Sequence, residues 1–258
     1  GGCVRDMLLG IQPKEFDIVT SATPDEIEKL LNHTIPIGKK FGVILAIQGG
    51  HNFEIATFRS DSSYSDGRRP DAVTFTTAKE DALRRDFTIN ALFYDPTTDE
   101  IFDYVDGQKD MKDKLIRFIG DPESRIKEDH LRILRAVRFK NTFSMQYHPA
   151  AYQAIKKNVK LIDKISKERI ADELNKMIMG SNAGRSFEEL FEIGALEIII
   201  PELCKLKGLA QPLQYHQEGD VWDHSLRALT ALTEEEGDPN PLPAEPPTLA
   251  LKWATLLH

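Results

Sequence analysis

The sequence predicts an α+β fold in which strands and helices mix in the first part and helices make up most of the rest. Three observations carry this. Alternating apolar and polar residues flank Gly49-Gly50, which is the pattern of a hairpin. Beyond Lys79 the apolar residues recur at helical spacing over most of the chain. With 258 residues, 41% of them hydrophobic, the chain is long enough to bury the cores of two or three such units.

The elements follow in order. Gly1 and Gly2 run straight into a helical pattern from Val4 to Leu9 that Gly10 closes, and with nothing ahead of it the N-terminus is expected to be cut. A short strand is expected from Phe16 to Val19. Ser21-Ala-Thr-Pro24 then opens a helix through Leu31, with Asp25 and Glu26 suiting its positive end. Gly42 to Ile47 and Asn52 to Phe58 form the two arms of the hairpin. Residues 59 to 73 are polar and turn-rich without periodicity, so a loop of lid character is expected there. Helices are expected at 79–93, 108–115, 125–143, 150–158, 166–179, 185–193 and 222–234, with one brief strand from Ile101 to Tyr104. The Pro-rich segment 239–247 is an exposed connector before a last apolar stretch.

Composition narrows the function classes. No run of about 18 apolar residues occurs, so a membrane-spanning helix is excluded and a soluble protein is expected. The two cysteines, Cys3 and Cys204, lie far apart without CxxC spacing, which fits the reducing cytoplasm and offers neither a disulfide framework nor a thiolate cage. The net charge of −8 weighs mildly against nucleic-acid binding, because phosphates call for Lys and Arg. Locally the balance reverses: Lys156, Lys157, Lys160, Lys164, Lys167 and Arg169 make a basic stretch able to track a phosphate backbone, or else a solvated helix face.

The residues that could carry chemistry come early. Glu15 and Asp17 flank Phe16, and on a strand both carboxylates would project to one face while Phe16 enters the core. Two carboxylates on one face can hold Mg²⁺. Nucleotidyl transfer uses such ions, one to activate the attacking hydroxyl and another to neutralise the departing pyrophosphate. Glu54, on the outer arm of the hairpin, would complete the cluster. Gly1 and Gly2 stand before a helix start, where bare backbone N–H groups favour a phosphate, and Arg5 adds a fixed positive charge. Taken singly, each has an ordinary alternative, a solvated strand end or a plain turn.

Two further pairs lie downstream. Asp86 and Asn90 are one helical turn apart and share a face suited to a ribose hydroxyl, or to a salt bridge with the adjoining arginines. In the helix expected over 125–143, Leu131, Leu134 and Val137 line the buried side while Glu128, Arg132 and Arg135 lie opposite. Asp129 and Arg132 are three apart. A carboxylate accepts from the exocyclic amine of cytosine or adenine, and a guanidinium donates to the ring nitrogen beside it, so this pair would take C and A and refuse U and G. The alternative is a structural salt bridge. Arg135 and Arg138 continue the same helix toward a triphosphate or an RNA end.

GGCVRDMLLG, KEFDIVTSATPDEI, YSDGRRPDAVTF, RRDFTINAL and EDHLRILRAVRF, in this order over roughly residues 1 to 145, strongly resemble the class II tRNA nucleotidyltransferase and bacterial poly(A) polymerase family. The resemblance implies a polymerase-β-like nucleotidyltransferase head at 1–98 and a helical, RNA-binding neck and body at 99–215. It further implies that Glu15 and Asp17 carry catalytic magnesium and that Gly1, Gly2 and Arg5 lie on the triphosphate side. Arg85, Asp86 and Asn90 would meet the ribose and phosphates, and Asp129 with Arg132 would read the base. In relatives the element matching Asp66 to Arg69 is linked to the switch from C to A addition. One departure stands out: the family usually has Asp-x-Asp, and Glu15 occupies the first place, where its extra methylene is expected to lower activity at a site of strict geometry.

A second resemblance covers 216–258. EGDVWDHS and the closing WATLLH are similar to the opening of an HD-type metal domain, but the Asp of its His-Asp doublet is missing, so a truncated HD-like segment is expected and His224 and His258 would be bystanders. The natural protein is then expected to be longer. The function implied is addition of CMP and AMP from CTP and ATP to tRNA 3′ ends, with release of pyrophosphate. A bacterial poly(A) polymerase is the first rival, favoured slightly by IGKKFGV at Ile37 to Val43, and a non-catalytic RNA-binding fragment is the second. Oligomeric state is left open.

Overall fold

The computed structural model describes residues 1–62, 72–211, 219–232 and 246–257. The chain divides into two compact units, Gly1–Asp129 and His130–His258. The border therefore lies beyond residue 98, which falls inside a hairpin described below.

The first unit opens with α1 (Gly2–Leu8). Its sheet has the order β1-β4-β3-β2, built from β1 (Ile18–Thr20), β2 (Thr34–Gly38), β3 (Val43–Gln48) and β4 (His51–Thr57). The expected hairpin is present as β3 and β4, with Ile44 opposite Ile55. Its two-residue turn is Gly49-Gly50, at φ +58° and +79°, the doubly positive backbone that favours glycine in tight hairpins. β4 is not an outer strand: β1 pairs with it in parallel, Ile18 beside Ile55. β2 escaped the sequence reading because Pro36 interrupts it, and a proline without an N–H is tolerated in an edge strand such as this one. Helix α2 (Pro24–Leu30) starts at a capping box of Thr23 and Glu26 and drops Ile27 onto Ile44, Ala46 and Ile55.

Three expectations in this unit need correction. The first strand begins at Ile18, so Glu15 and Asp17 precede it, and Phe16 is 53% exposed instead of entering the core. The helix expected over 79–93 ends early: α3 spans Ala78–Leu83, the Asp86 carboxylate then accepts the Phe87 N–H at 2.7 Å, and a 3₁₀ turn (Thr88–Asn90) leads into strand β7 (Leu92–Asp95). Local Asp-to-backbone bonding of this kind competes with the helix ladder. β7 pairs with β8 (Glu100–Asp103), the brief strand expected nearby, across residue 98. At the edges of the expected loop, β5 (Arg59–Asp61) pairs with β6 (Val73–Phe75). Residues 63–71, and with them Asp66 to Arg69, lie outside the described residues. The unit closes with α4 (Gly107–Lys112) and α5 (Pro122–Glu128).

The helix expected over 125–143 is two helices. Asp129 is extended (φ −145°, ψ 106°) and ends α5, while α6 (Arg132–Thr142) begins in the second unit. Leu131, Leu134 and Val137 are buried as expected, but so is Arg132, at 6% exposure, which the helical pattern had placed outside. The second unit continues with α7 (Pro149–Asn158), α8 (Lys167–Ile178), α9 (Ala183–Glu192), α10 (Ala195–Ile199), α11 (Pro201–Cys204), α12 (Val221–Ala231) and α13 (Leu249–Leu257). α6 packs on α8 and α9, and α9 on α12. Trp253 of α13 donates to Asn175 of α8 at 2.8 Å and meets Phe187 edge-on, so α12 and α13 add to the helical unit and do not stand apart. Most of the Pro-rich connector (239–245) and His258 lie outside the described residues. Among the described residues no helix is long and apolar enough to cross a membrane.

Candidate active site in the first unit

Two cavities adjoin beside the sheet. One, of about 490 Å³, is lined by Glu15, Asp17 and Glu54 together with Lys14, His51 and Asn52. The other, of about 230 Å³, is lined by Gly1, Asp17, Glu54, Arg84 and Arg85. Asp17 and Glu54 belong to both. The parallel pairing of β1 with β4 explains this: Ile18 sits opposite Ile55, so the residues just before them, Asp17 and Glu54, end up side by side across the strands. Glu15 touches the larger cavity alone. Sequence alternation had joined Glu15 to Asp17 on one strand face, whereas the sheet joins Asp17 to Glu54.

The arginines on the other wall are held from several sides. Arg85 gives Nε and Nη2 to Asp81 Oδ2, each at 3.1 Å, and Nη1 to the Asn90 carbonyl at 3.1 Å, while its guanidinium lies 4.7 Å from the centre of the Phe93 ring. Gly1 is close by: a Cβ there would come within 3.1 Å of Arg85 Nη1, so a larger residue would press on the guanidinium by a few tenths of an ångström. Arg5 is buried. It donates to Asn90 Oδ1 and to Asp6, and Asn90 Nδ2 in turn reaches Asp86 Oδ1 at 3.0 Å. Asp86 and Asn90 thus meet as the sequence implied, though across a turn and not along a helix. Gly2 begins α1, which is only seven residues long.

Three participants went unnoticed in the sequence. Asp81 is 1% exposed and binds both Arg84 and Arg85, an i,i+3 and i,i+4 spacing that was legible. Arg59 offers its backbone N–H to Asp81 Oδ1 at 3.2 Å. Arg125 donates to the carbonyls of Arg84 and Arg85, a contact between distant segments that no local pattern announces.

The remaining candidates are placed elsewhere. Asp129 and Arg132 stand on either side of the break between α5 and α6, so the helical i,i+3 geometry expected of them is absent. Arg138 Nε pairs with Glu173 Oε2 at 2.6 Å, and Arg135 lies 3.9 Å from Oε1 of the same residue, so in this state both serve the second unit's interior. Among the described residues no group of three His, Cys, Asp or Glu is set to hold a metal ion. Asp17 and Glu54 still form a wall of hard oxygen donors next to open volume, and Mg²⁺ commonly takes one or two carboxylates and fills its shell with water and phosphate oxygens. The donor set fits that ion.

Fold and site together define a polymerase-β-like nucleotidyltransferase head followed by a helical region. Residues 1–117 match the family described as the poly A polymerase head domain, and residues 144–207 the one described as a probable RNA and SrmB-binding site of polymerase A. Over these residues the chain is similar to CCA-adding enzymes and poly(A) polymerases. It is 42% identical over 196 residues to the CCA-adding enzyme of Staphylococcus aureus strain MRSA252, covering 76% of this chain and 49% of that one. The crystal structure of the Bacillus stearothermophilus CCA-adding enzyme in complex with CTP superposes with a TM-score of 0.69 at 37% identity, over 76% of this chain and 47% of that one. The Thermotoga maritima CCA-adding enzyme complexed with tRNA gives 0.66 at 25% identity, over 88% and 50%. The chain spans about half the length of the relatives it matches.

Proposed function

We propose that this chain carries the nucleotidyl-transfer chemistry of a template-independent RNA 3′-end enzyme acting on tRNA. An RNA 3′ hydroxyl gives up its proton and attacks the α-phosphate of CTP or ATP, the new phosphodiester forms, and the bond between the α-phosphorus and the bridging oxygen breaks as pyrophosphate leaves. The observation that carries this reading is the wall shared by Asp17 and Glu54 between two cavities, one of which also holds Gly1 and Arg85.

Asp17 and Glu54, with Glu15 at the larger cavity, are the residues that would hold Mg²⁺. When bound, that ion lowers the charge on the triphosphate and the pKa of the attacking hydroxyl. Arg85 supplies positive charge to the phosphates from the opposite wall, and Gly1 keeps that approach clear. Asp86 and Asn90, tied to one another and to Arg5, are our ribose-reading pair. Positioning and charge neutralisation then do most of the work. Base choice falls to Asp129 and Arg132, whose acceptor and donor match C and A and not U and G.

The CCA reading is preferred over a poly(A) polymerase. The support for that preference is the likeness to CCA-adding enzymes, while Lys39 of IGKKFGV pairs at the surface with Asp25 at 2.7 Å and Glu28 at 2.6 Å. The free thiols of Cys3 and Cys204 agree with a cytoplasmic setting. The test offers the protein a tRNA lacking CCA, a tRNA ending in CC and an unrelated RNA, with CTP or ATP and Mg²⁺. Addition of C and then A to tRNA alone is expected. Long A tails on any RNA would replace the reading with poly(A) polymerase, and no magnesium-dependent pyrophosphate release would leave an RNA-binding fragment.

A further inference from the structure

We infer that Asp81 is a positioning residue for the incoming nucleotide, a single buried carboxylate that aims Arg85 at the triphosphate while Arg84 braces its other oxygen. The inference rests on the reading of the head cavity given above. Asp81 Oδ1 takes Arg84 through Nε at 2.9 Å and Nη2 at 2.8 Å, and Oδ2 takes Arg85 through Nε and Nη2 at 3.1 Å each. Two guanidinium forks thus close on the two oxygens of one side chain. Both arginines line the cavity that Asp17 and Glu54 also line, and they remain about one-fifth exposed, 22% and 19%, while Asp81 is 1% exposed. Arg84 also lies 3.6 Å from Asp61, which pairs with Arg59, so three arginines against two carboxylates leave one net positive charge beside the acidic wall.

The geometry also selects what Arg85 has left to give. A guanidinium has five N–H groups. Asp81 takes the one on Nε and one on Nη2, and the Asn90 carbonyl takes one on Nη1. The remainder is one N–H on each terminal nitrogen, donors that suit phosphate oxygens. Asp81 also accepts the Arg59 N–H, and Arg125 donates to the Arg84 and Arg85 carbonyls, so backbone and side chains of the arginine pair are fixed together.

The experiment is calorimetric titration of the protein with CTP and Mg²⁺, comparing wild type, Asp81→Asn, Arg85→Ala and the double variant, with the unfolding midpoint of each measured alongside. Each single variant should weaken binding about tenfold, and the double variant should be no weaker than Arg85→Ala, because Asp81 acts through Arg85. A merely structural role would add its effect in the double variant, and that additivity, or wild-type affinity in Asp81→Asn, overturns the inference. Should Asp81→Asn fail to fold, Arg85→Lys keeps the charge but loses the fork. It should lose binding to a similar degree, and wild-type affinity there overturns the inference as well. A wild-type protein that does not bind CTP at all would instead defeat the functional reading on which the inference stands.

Discussion

Arg138 Nε lies 2.6 Å from Glu173 Oε2, joining α6 to α8 through a carboxylate that is only 2% exposed. Lys176 Nζ and Arg135 Nη1 approach the other oxygen at 3.3 and 3.9 Å. Burial pushes the Glu173 carboxyl up, but the three cations, Arg138 foremost, outweigh it and hold the group below its ordinary value of 4.5. The arginine row that the sequence aimed at a triphosphate is, in this unit, a brace between helices.

A depressed carboxyl in the folded state makes stability depend on pH in one direction. The contribution is present above the unfolded value, near 4.5, and is lost as pH falls below it through the folded value. The advantage of the wild type over Glu173→Gln in thermal unfolding should therefore be constant from pH 7 to about 5 and shrink on further acidification. A gap that stays level down to pH 3.5 would show that the pairing contributes nothing.

Removing a cation instead strands the acid. Arg138→Ala should destabilise the second unit by about 3 kcal/mol, since it leaves a buried carboxylate with poorer partners, while Arg135→Ala, at 3.9 Å, should cost about 1 kcal/mol or less. Equal losses in denaturant titrations would contradict the distances.

The head makes a prediction about chemistry without one about stability. Glu15 and Asp17 are exposed, so changing them should move the unfolding free energy by less than about 0.5 kcal/mol. Asp17 borders both cavities and Glu15 one. Asp17→Asn should lower nucleotide incorporation by more than about a hundredfold, and Glu15→Gln by less. Equal effects of the two in single-turnover assays would return Glu15 to parity with Asp17.

How much of this was legible follows from where each signal lives. The Gly-Gly hairpin and the helices around Leu174 and Leu190 were read correctly because local turn chemistry and periodicity suffice for them. The run from Lys79 to Phe93 was read as one helix because its apolar residues also satisfy helical spacing. Phe87, Ile89, Ala91 and Leu92 are indeed all fully buried, but through a turn and a strand that Asp86 enforces by capturing the next N–H. The break at Asp129 has neither Pro nor Gly to mark it. Within the candidate site, Asp17 and Arg85 were named from motifs, while the partnership of Asp17 with Glu54 depends on a parallel pairing of residues 37 apart, such as Ile18 with Ile55, which periodicity along one strand cannot reveal. The buried position of Asp81 was hidden because it depends on the Arg59 segment, 22 residues earlier, whose N–H it accepts.

Gly107 tests whether the fold behind the site is as tight as it looks. A Cβ there would drive into the Thr88 carbonyl oxygen and come within 3.1 Å of Leu92 Cδ2. The backbone of Thr88 cannot give way, because its side chain is bound to Asp110 at 2.7 Å, and Asp110 is fully buried and gripped by Arg117 at 2.9 Å. Thr88 also opens the short turn that ends at Asn90, whose carbonyl holds Arg85 and whose side chain joins Arg5 to Asp86. Gly107→Ala should therefore destabilise the first unit by about 2 kcal/mol, within the range for overpacking a closed contact. The same displacement should raise the KM for CTP more than it lowers kcat, since it shifts groups that hold the nucleotide and leaves the Asp17 wall alone. A variant with the wild-type urea midpoint and wild-type KM would mean that α4 yields freely, and that the turn bearing Asn90 is not held from behind by this contact.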